Sequence, residues 1–105
     1  MKVKYNIEID NEAIKTNLKR LTNQVYKLLP IWEEASDWRK PLSTIIIEFA
    51  GMRELLENHQ VILFSLLCKL EGLNHIDDTE EDSFFLFRKT VFESLGLIND
   101  LVKRL

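Results

Sequence analysis

The chain is poor in the residues that usually build chemistry. It has one cysteine, two histidines and three glycines among 105 residues. The single thiol, Cys68, excludes an intrachain disulfide and fits a reducing compartment. Phosphate-cradling loops need several glycines in register, and none is present. His59 and His75 lack the i, i+4 spacing that sets two imidazoles on one helix face. Neither a nucleophile elbow nor a Ser/His/Asp pattern occurs. The expectation is a protein that is not an enzyme and needs no cofactor or metal.

Long apolar runs are also missing. The longest, "VILFSLLC" at 61–68, is far short of the roughly 20 residues that span a bilayer. The opening "MKVKYNIEIDNE" is charged throughout, unlike a signal peptide. A cytoplasmic protein without membrane association is expected. The formal net charge of −3 argues against a general polyanion binder but leaves a local basic patch open. Residues 1–40 carry eight basic and six acidic residues, and residues 41–105 carry six and eleven, so the excess shifts from +2 to −5 along the chain.

What is present is periodicity. Val3, Tyr5, Ile7 and Ile9 alternate with polar residues, the signal of a half-buried strand or extended arm over 1–9. With no second confident strand, pairing with the same segment of another copy in a homodimer is expected, through Val3, Tyr5 and Ile7. The alternative is an arm laid over its own helices. Ile14, Leu18, Leu21, Val25 and Leu28 then follow helical spacing, with Asp10 as N-cap and Ile9 and Ile14 placed for a hydrophobic staple. Trp32 continues that stripe past Pro30, which either kinks the helix or restarts it. A second stripe runs Trp38, Leu42, Ile45, Phe49, Met52 and Leu56, with Asp37 as its cap. It stays in phase through His59, Leu63, Leu66 and Leu70, so 38–71 is open either as one helix or as two with a turn at "ENHQ". Segment 61–68 is apolar nearly all round and is expected to be the most buried element. The last stripe is Phe84, Phe87, Val91, Leu95, Ile98, Val102 and Leu105, capped by Thr79 or an aspartate before it. Four of the six phenylalanines lie between 84 and 92, which places the thick part of the core there.

These stripes predict one mainly α domain over 1–105. It is a bundle of three or four long amphipathic helices, antiparallel, at about 11–35, 38–57, 60–71 and 79–104, preceded by the short strand or arm.

Several clusters invite a functional reading. Lys15, Lys19 and Lys27 step along the first helix with Arg20 beside them, a ridge that could meet phosphates or acidic residues. Repulsion at i, i+4 means helix stability does not explain it. The loop "HIDDTEED" holds Asp77, Asp78, Glu80, Glu81 and Asp82. It lacks the calcium-loop spacing, and negative charge ahead of a helix accounts for it equally well. Cys68 reads as a buried structural thiol. Both tryptophans sit in "PIWEEASDWRKP", a polar stretch that looks like a gripping loop. Their phases instead make Trp32 the last rung of one stripe and Trp38 the first of the next. The two indoles are expected to meet and close one end of the core, with their N–H groups toward solvent.

The segments "DWRKPLSTIIIEFAGM" and "LLCKLEGL", with the arm-plus-helix opening, resemble small accessory proteins of Gram-positive prophages and other mobile elements. The resemblance implies a non-enzymatic inhibitor, adaptor or regulator that acts on a host or phage macromolecule. The expected function is binding to another protein of host or phage. The alternative is a small nucleic-acid-associated regulator that uses the ridge at Lys15, Lys19, Arg20 and Lys27.

Overall fold

The computed structural model describes residues 10–105, and within them the chain is mainly helical. Five segments follow one another: α1 (Asn11–Tyr26), α2 (Leu28–Glu33), α3 (Arg39–Leu55), α4 (Gln60–Asn74) and α5 (Ser83–Arg104). The strand or arm, its pairing face at Val3, Tyr5 and Ile7, and the Ile9 half of the staple lie outside the described residues.

The start of α1 follows from Asp10, whose carboxylate accepts the Glu12 N–H at 3.1 Å. That bond satisfies one of the four N–H groups that a helix start leaves without partners. The break in the first stripe comes at Lys27, three residues ahead of the proline. Pro30 has no N–H to offer the Tyr26 carbonyl, and its ring crowds that carbonyl. Lys27 nevertheless keeps right-handed helical angles (φ −65°, ψ −14°), and Trp32 still packs against the core as the continued stripe requires.

α2 stops with Ala35 in the left-handed region at φ 56°. The Ser36 N–H reaches the Ile31 carbonyl at 3.1 Å and the Ala35 N–H reaches that of Trp32 at 2.9 Å. This nested pair is the Schellman arrangement, which normally puts glycine where Ala35 stands. Asp37 then accepts the N–H groups of Arg39 and Lys40 and starts α3.

The second stripe is divided. α3 ends at Leu55, Leu56 turns extended, and His59 takes φ 65° before α4 begins. The Gln60 side-chain amide donates to the carbonyls of Arg53 and Leu56, giving partners to groups the end of α3 exposes. The turn lets α4 fold back on α3, which a continuous helix over 38–71 could not do. The shared phase of 56, 59 and 63 in the sequence does not reflect a shared axis.

α1 packs on α3 and α5, while α4 packs on α3 and α5. Their inward faces form one core: Leu18, Leu21 and Val25 from α1, Leu42, Ile45 and Phe49 from α3, Leu63, Leu66 and Leu70 from α4, and Phe87, Val91 and Ile98 from α5. Ser94 is the buried polar residue among them. Its hydroxyl donates to the Thr90 carbonyl at 2.9 Å, so it is satisfied within its own helix.

Three expectations need correction. Segment 61–68 is not the most enclosed element. Ile62, Leu63 and Leu66 are buried, but Val61, Phe64 and Cys68 face outward. A helix gripped by two neighbours has a third side, and an all-round apolar sequence cannot say which side that is. Cys68 is therefore an exposed thiol rather than a core residue. Of the clustered phenylalanines, Phe87 is buried and Phe84 packs at the core margin, whereas Phe85 and Phe92 are exposed. Only a face about 100° wide can point inward.

Candidate interaction surfaces

The two tryptophans meet. Their ring centroids are 5.2 Å apart, with Phe87 4.4 Å from Trp32 and 4.9 Å from Trp38, and Phe84 5.9 Å from Trp32. Trp38 is 3% exposed. Its N–H does not turn to solvent, as expected from the sequence, but donates to the Asp78 carboxylate at 3.3 Å. Arg39 completes the corner. Its guanidinium lies 4.3 Å from the centroid of the Trp38 ring, and its nitrogens reach Asp78 Oδ2 at 3.4 Å and the Ile76 carbonyl at 2.7 Å. A cation over an indole and a partnered indole N–H both favour enclosure of the ring. The pair thus closes one end of the core and offers a partner little of its surface.

The acidic loop divides by task. Asp78 belongs to that corner. Asp77 accepts both the Thr79 hydroxyl at 2.6 Å and the Thr79 N–H at 3.0 Å, which folds a local turn. The hydroxyl bond first, and the N–H bond second, hold the Asp77 carboxyl below its ordinary value. Thr79 is spent in this turn and does not cap α5. That helix starts at Ser83, where Asp82 makes no side-chain cap bond. Glu80, Glu81 and Asp82 are exposed. Among the described residues, no group of three His, Cys, Asp or Glu side chains is placed to hold a metal ion.

The basic ridge does not form one surface. At about 100° per residue, four-residue steps drift about 40° each, so Lys27 is displaced about 120° around the helix from Lys15. Arg20 turns toward α3, where it pairs with Glu48 at 2.9 Å and bonds Asn17 at 2.7 Å. Lys15 lies 3.7 Å from Glu12. Lys19 and Lys27 are exposed, with no ion-pair partner among the described residues.

Three further surfaces appear, one of which takes in Lys15 and Lys19 of the ridge. The first is the outer face of α4. Val61 is 81% and Phe64 52% exposed, Cys68 completes the i, i+3, i+7 set, and Leu55 at the end of α3 is 48% exposed beside the same turn. Arg53 reaches over the Phe64 ring at 4.9 Å, and its Nε is buried without a hydrogen-bond partner. A signal existed in the sequence: 61, 64 and 68 form a second helical stripe, out of phase with 62, 66, 70 and 73. The second is the seam between α1 and α5. A groove of about 290 Å³ there is lined by Lys15, Lys19, Thr22, Leu95, Asn99 and Val102. Farther along, Tyr26 meets Phe92 edge to face at 6.4 Å, and Arg88 lies 5.2 Å from the Phe92 ring. The third is a hollow of about 410 Å³ between α1 and α3, with Ala13, Ile14, Met52, Leu55 and the Arg20–Glu48 pair in its walls.

Among the described residues no helix is long and apolar enough to cross a membrane. Comparisons with protein-family models, with curated proteins and with solved structures find no match to this chain.

Proposed function

We propose that this is a protein-binding module that docks another protein on the outer face of α4. The observation that carries this reading is the exposure of Val61 and Phe64 on a helix otherwise committed to the core. Isolated surface apolar residues are ordinary, but a helical stripe of them on one face marks an interaction site. The reading takes the helices as an antiparallel bundle. In its support, the Asn11 amide donates to the Leu105 carbonyl at 3.0 Å, bringing the start of α1 to the end of α5. It also takes the protein as a cytoplasmic accessory factor of a phage or mobile element, an inhibitor or adaptor. The resemblance carried by "DWRKPLSTIIIEFAGM" and the lone cysteine support that part. The reading also keeps the homodimer expected through Val3, Tyr5 and Ile7.

A photo-reactive phenylalanine analogue placed at position 61 or 64 in the native host tests the reading. Capture of one discrete protein from these positions, and not from exposed Ser43 on α3, is the expected result. Capture from Ser43 to the same extent, or none from α4, would remove it.

A further inference from the structure

We propose that the seam between α1 and α5 binds single-stranded nucleic acid. The proposal uses a different surface from the α4 face and does not depend on it. Two helical stripes face each other across the seam. From α1 come Lys15, Lys19, Thr22 and Tyr26, at 4-3-4 spacing. From α5 come Phe85, Arg88, Phe92, Leu95 and Asn99, at 3-4-3-4 spacing. Their juxtaposition is fixed at two points: the groove that Lys15 and Lys19 share with Asn99, and the edge-to-face contact of Tyr26 with Phe92.

Cations outnumber carboxylates along the seam. None of the nine stripe residues is acidic, in a chain whose net charge is −3. Of the carboxylates on these two helices, Glu93 is held by Lys69 of α4 at 2.8 Å, Glu12 lies 3.7 Å from Lys15 and offsets part of its charge, and Asp100 is exposed beside Asn99. Cations, amides and hydroxyls are the groups that contact phosphate and sugar. Between them, Phe85 is 74% and Tyr26 54% exposed, so ring surface is available for stacking. Backbone-tracking cations interleaved with open aromatic rings are the combination that holds single strands without sequence preference. A duplex keeps its bases stacked and cannot use the rings. A protein partner is disfavoured because lysine is depleted at protein interfaces. A membrane is disfavoured because Asn99 and the lysines interrupt any continuous apolar face. Arg20 and Lys27, members of the ridge expected from the sequence, have no part in this site.

Fluorescence anisotropy of a labelled 15-mer of deoxythymidine with the full chain tests the proposal. The same-length duplex and phosphatidylserine vesicles serve as alternatives. With Lys15, Lys19 and Arg88 on phosphates, log affinity should fall with log salt at a slope of about −2, from about 0.7 per contact on single strands. Lys15→Gln with Lys19→Gln should flatten that slope by more than one. Phe85→Ser should weaken binding about fivefold or more and leave the slope unchanged. Its ring is exposed, so an unchanged thermal melt will show that folding is intact. Absence of binding at 50 mM salt, binding indifferent to these substitutions, or preference for the duplex or the vesicles would overturn the proposal.

Discussion

The aromatic corner and the outer face of α4 are made from similar material and do opposite things. At the corner, Trp32, Trp38 and Phe87 lie ring to ring, and the N–H of the enclosed Trp38 has a fixed partner in Asp78. On α4, Val61 and Phe64 are equally apolar yet open to solvent. Burial there would require a further element, and the two neighbours of α4 occupy its other sides. Apolarity thus drives folding at one place and leaves a surface at the other. What decides between them is the number of helices within reach, a property of the whole assembly and not of the segment. Substitutions at the two places should therefore separate stability from binding.

The largest effect should come at the corner. Trp38→Ala removes a nearly enclosed ring that touches Trp32 and Phe87. Large-to-small changes of this kind cost about 3–5 kcal/mol. A domain of this size should then melt well over 10 °C lower, since each kcal/mol moves the midpoint about 4–8 °C. A melt within 2 °C of the parent would mean the ring is not part of the core.

Next is Asp78→Ala, which strips the Trp38 N–H of its acceptor and releases Arg39. A buried donor without a partner costs about 1–3 kcal/mol. Asp78→Asn keeps an acceptor and should cost less than half as much in urea denaturation. Equal losses would show that the charge on Asp78, and not its hydrogen bond, is what matters.

Ala35→Gly should act in the opposite direction. Ala35 sits at φ 56°, where a Cβ costs about 1–2 kcal/mol that glycine does not incur. The gain is partly offset by the greater freedom of glycine in the unfolded chain, leaving about 0.5–1 kcal/mol of added stability. A loss of stability would show that the Schellman turn does not hold in solution.

Local signals in the sequence make part of this fold legible, and contacts between distant segments hide the rest. The meeting of Trp32 and Trp38 was legible because stripe phase survives the turn between them. The Asp10 cap was legible because capping is local. The N–H bond from Trp38 to Asp78 was not, because it joins residues 40 apart and no local pattern encodes it. The division at "ENHQ" stayed open because no glycine or proline marks it, and His59 adopts the left-handed turn conformation instead. The exposure of Phe64 and Cys68 was misread because inward and outward apolar stripes look alike until neighbours are placed. How the basic ridge divides is not legible in the sequence, because the Arg20–Glu48 pair joins residues 28 apart and four-residue steps drift a third of a turn over three steps.

On α4 the expected effect on stability is small. Phe64→Ser gives up an exposed ring and its contact with Arg53, worth about 0.5–1 kcal/mol. It should nonetheless abolish the photo-capture expected at this face. The same exposure makes Cys68 titratable by a thiol reagent in the native protein. Labelling with a rate close to that in denaturant is expected, and strong protection would return Cys68 to the core.

The smallest effect concerns acid. Lys69, which donates a hydrogen bond to Glu93, holds that carboxyl below its ordinary value of 4.5, and the Thr79 bonds hold Asp77 below 3.8. Folded pKa values lower than unfolded ones stabilise the folded state above the unfolded pKa. That contribution disappears as pH falls through the folded pKa. Stability should accordingly decline below about pH 4.5, and part of that decline should vanish in Glu93→Gln and Asp77→Asn. Both carboxylates lie at the surface, so salt should mute the Glu93 share, which depends on Lys69 across the α4–α5 contact. The Asp77 share, made of hydrogen bonds to Thr79 within one turn, should persist at high salt. A decline that salt erases completely would show that the loop turn at Asp77 adds nothing to the fold, leaving Asp78 as the loop's structural carboxylate.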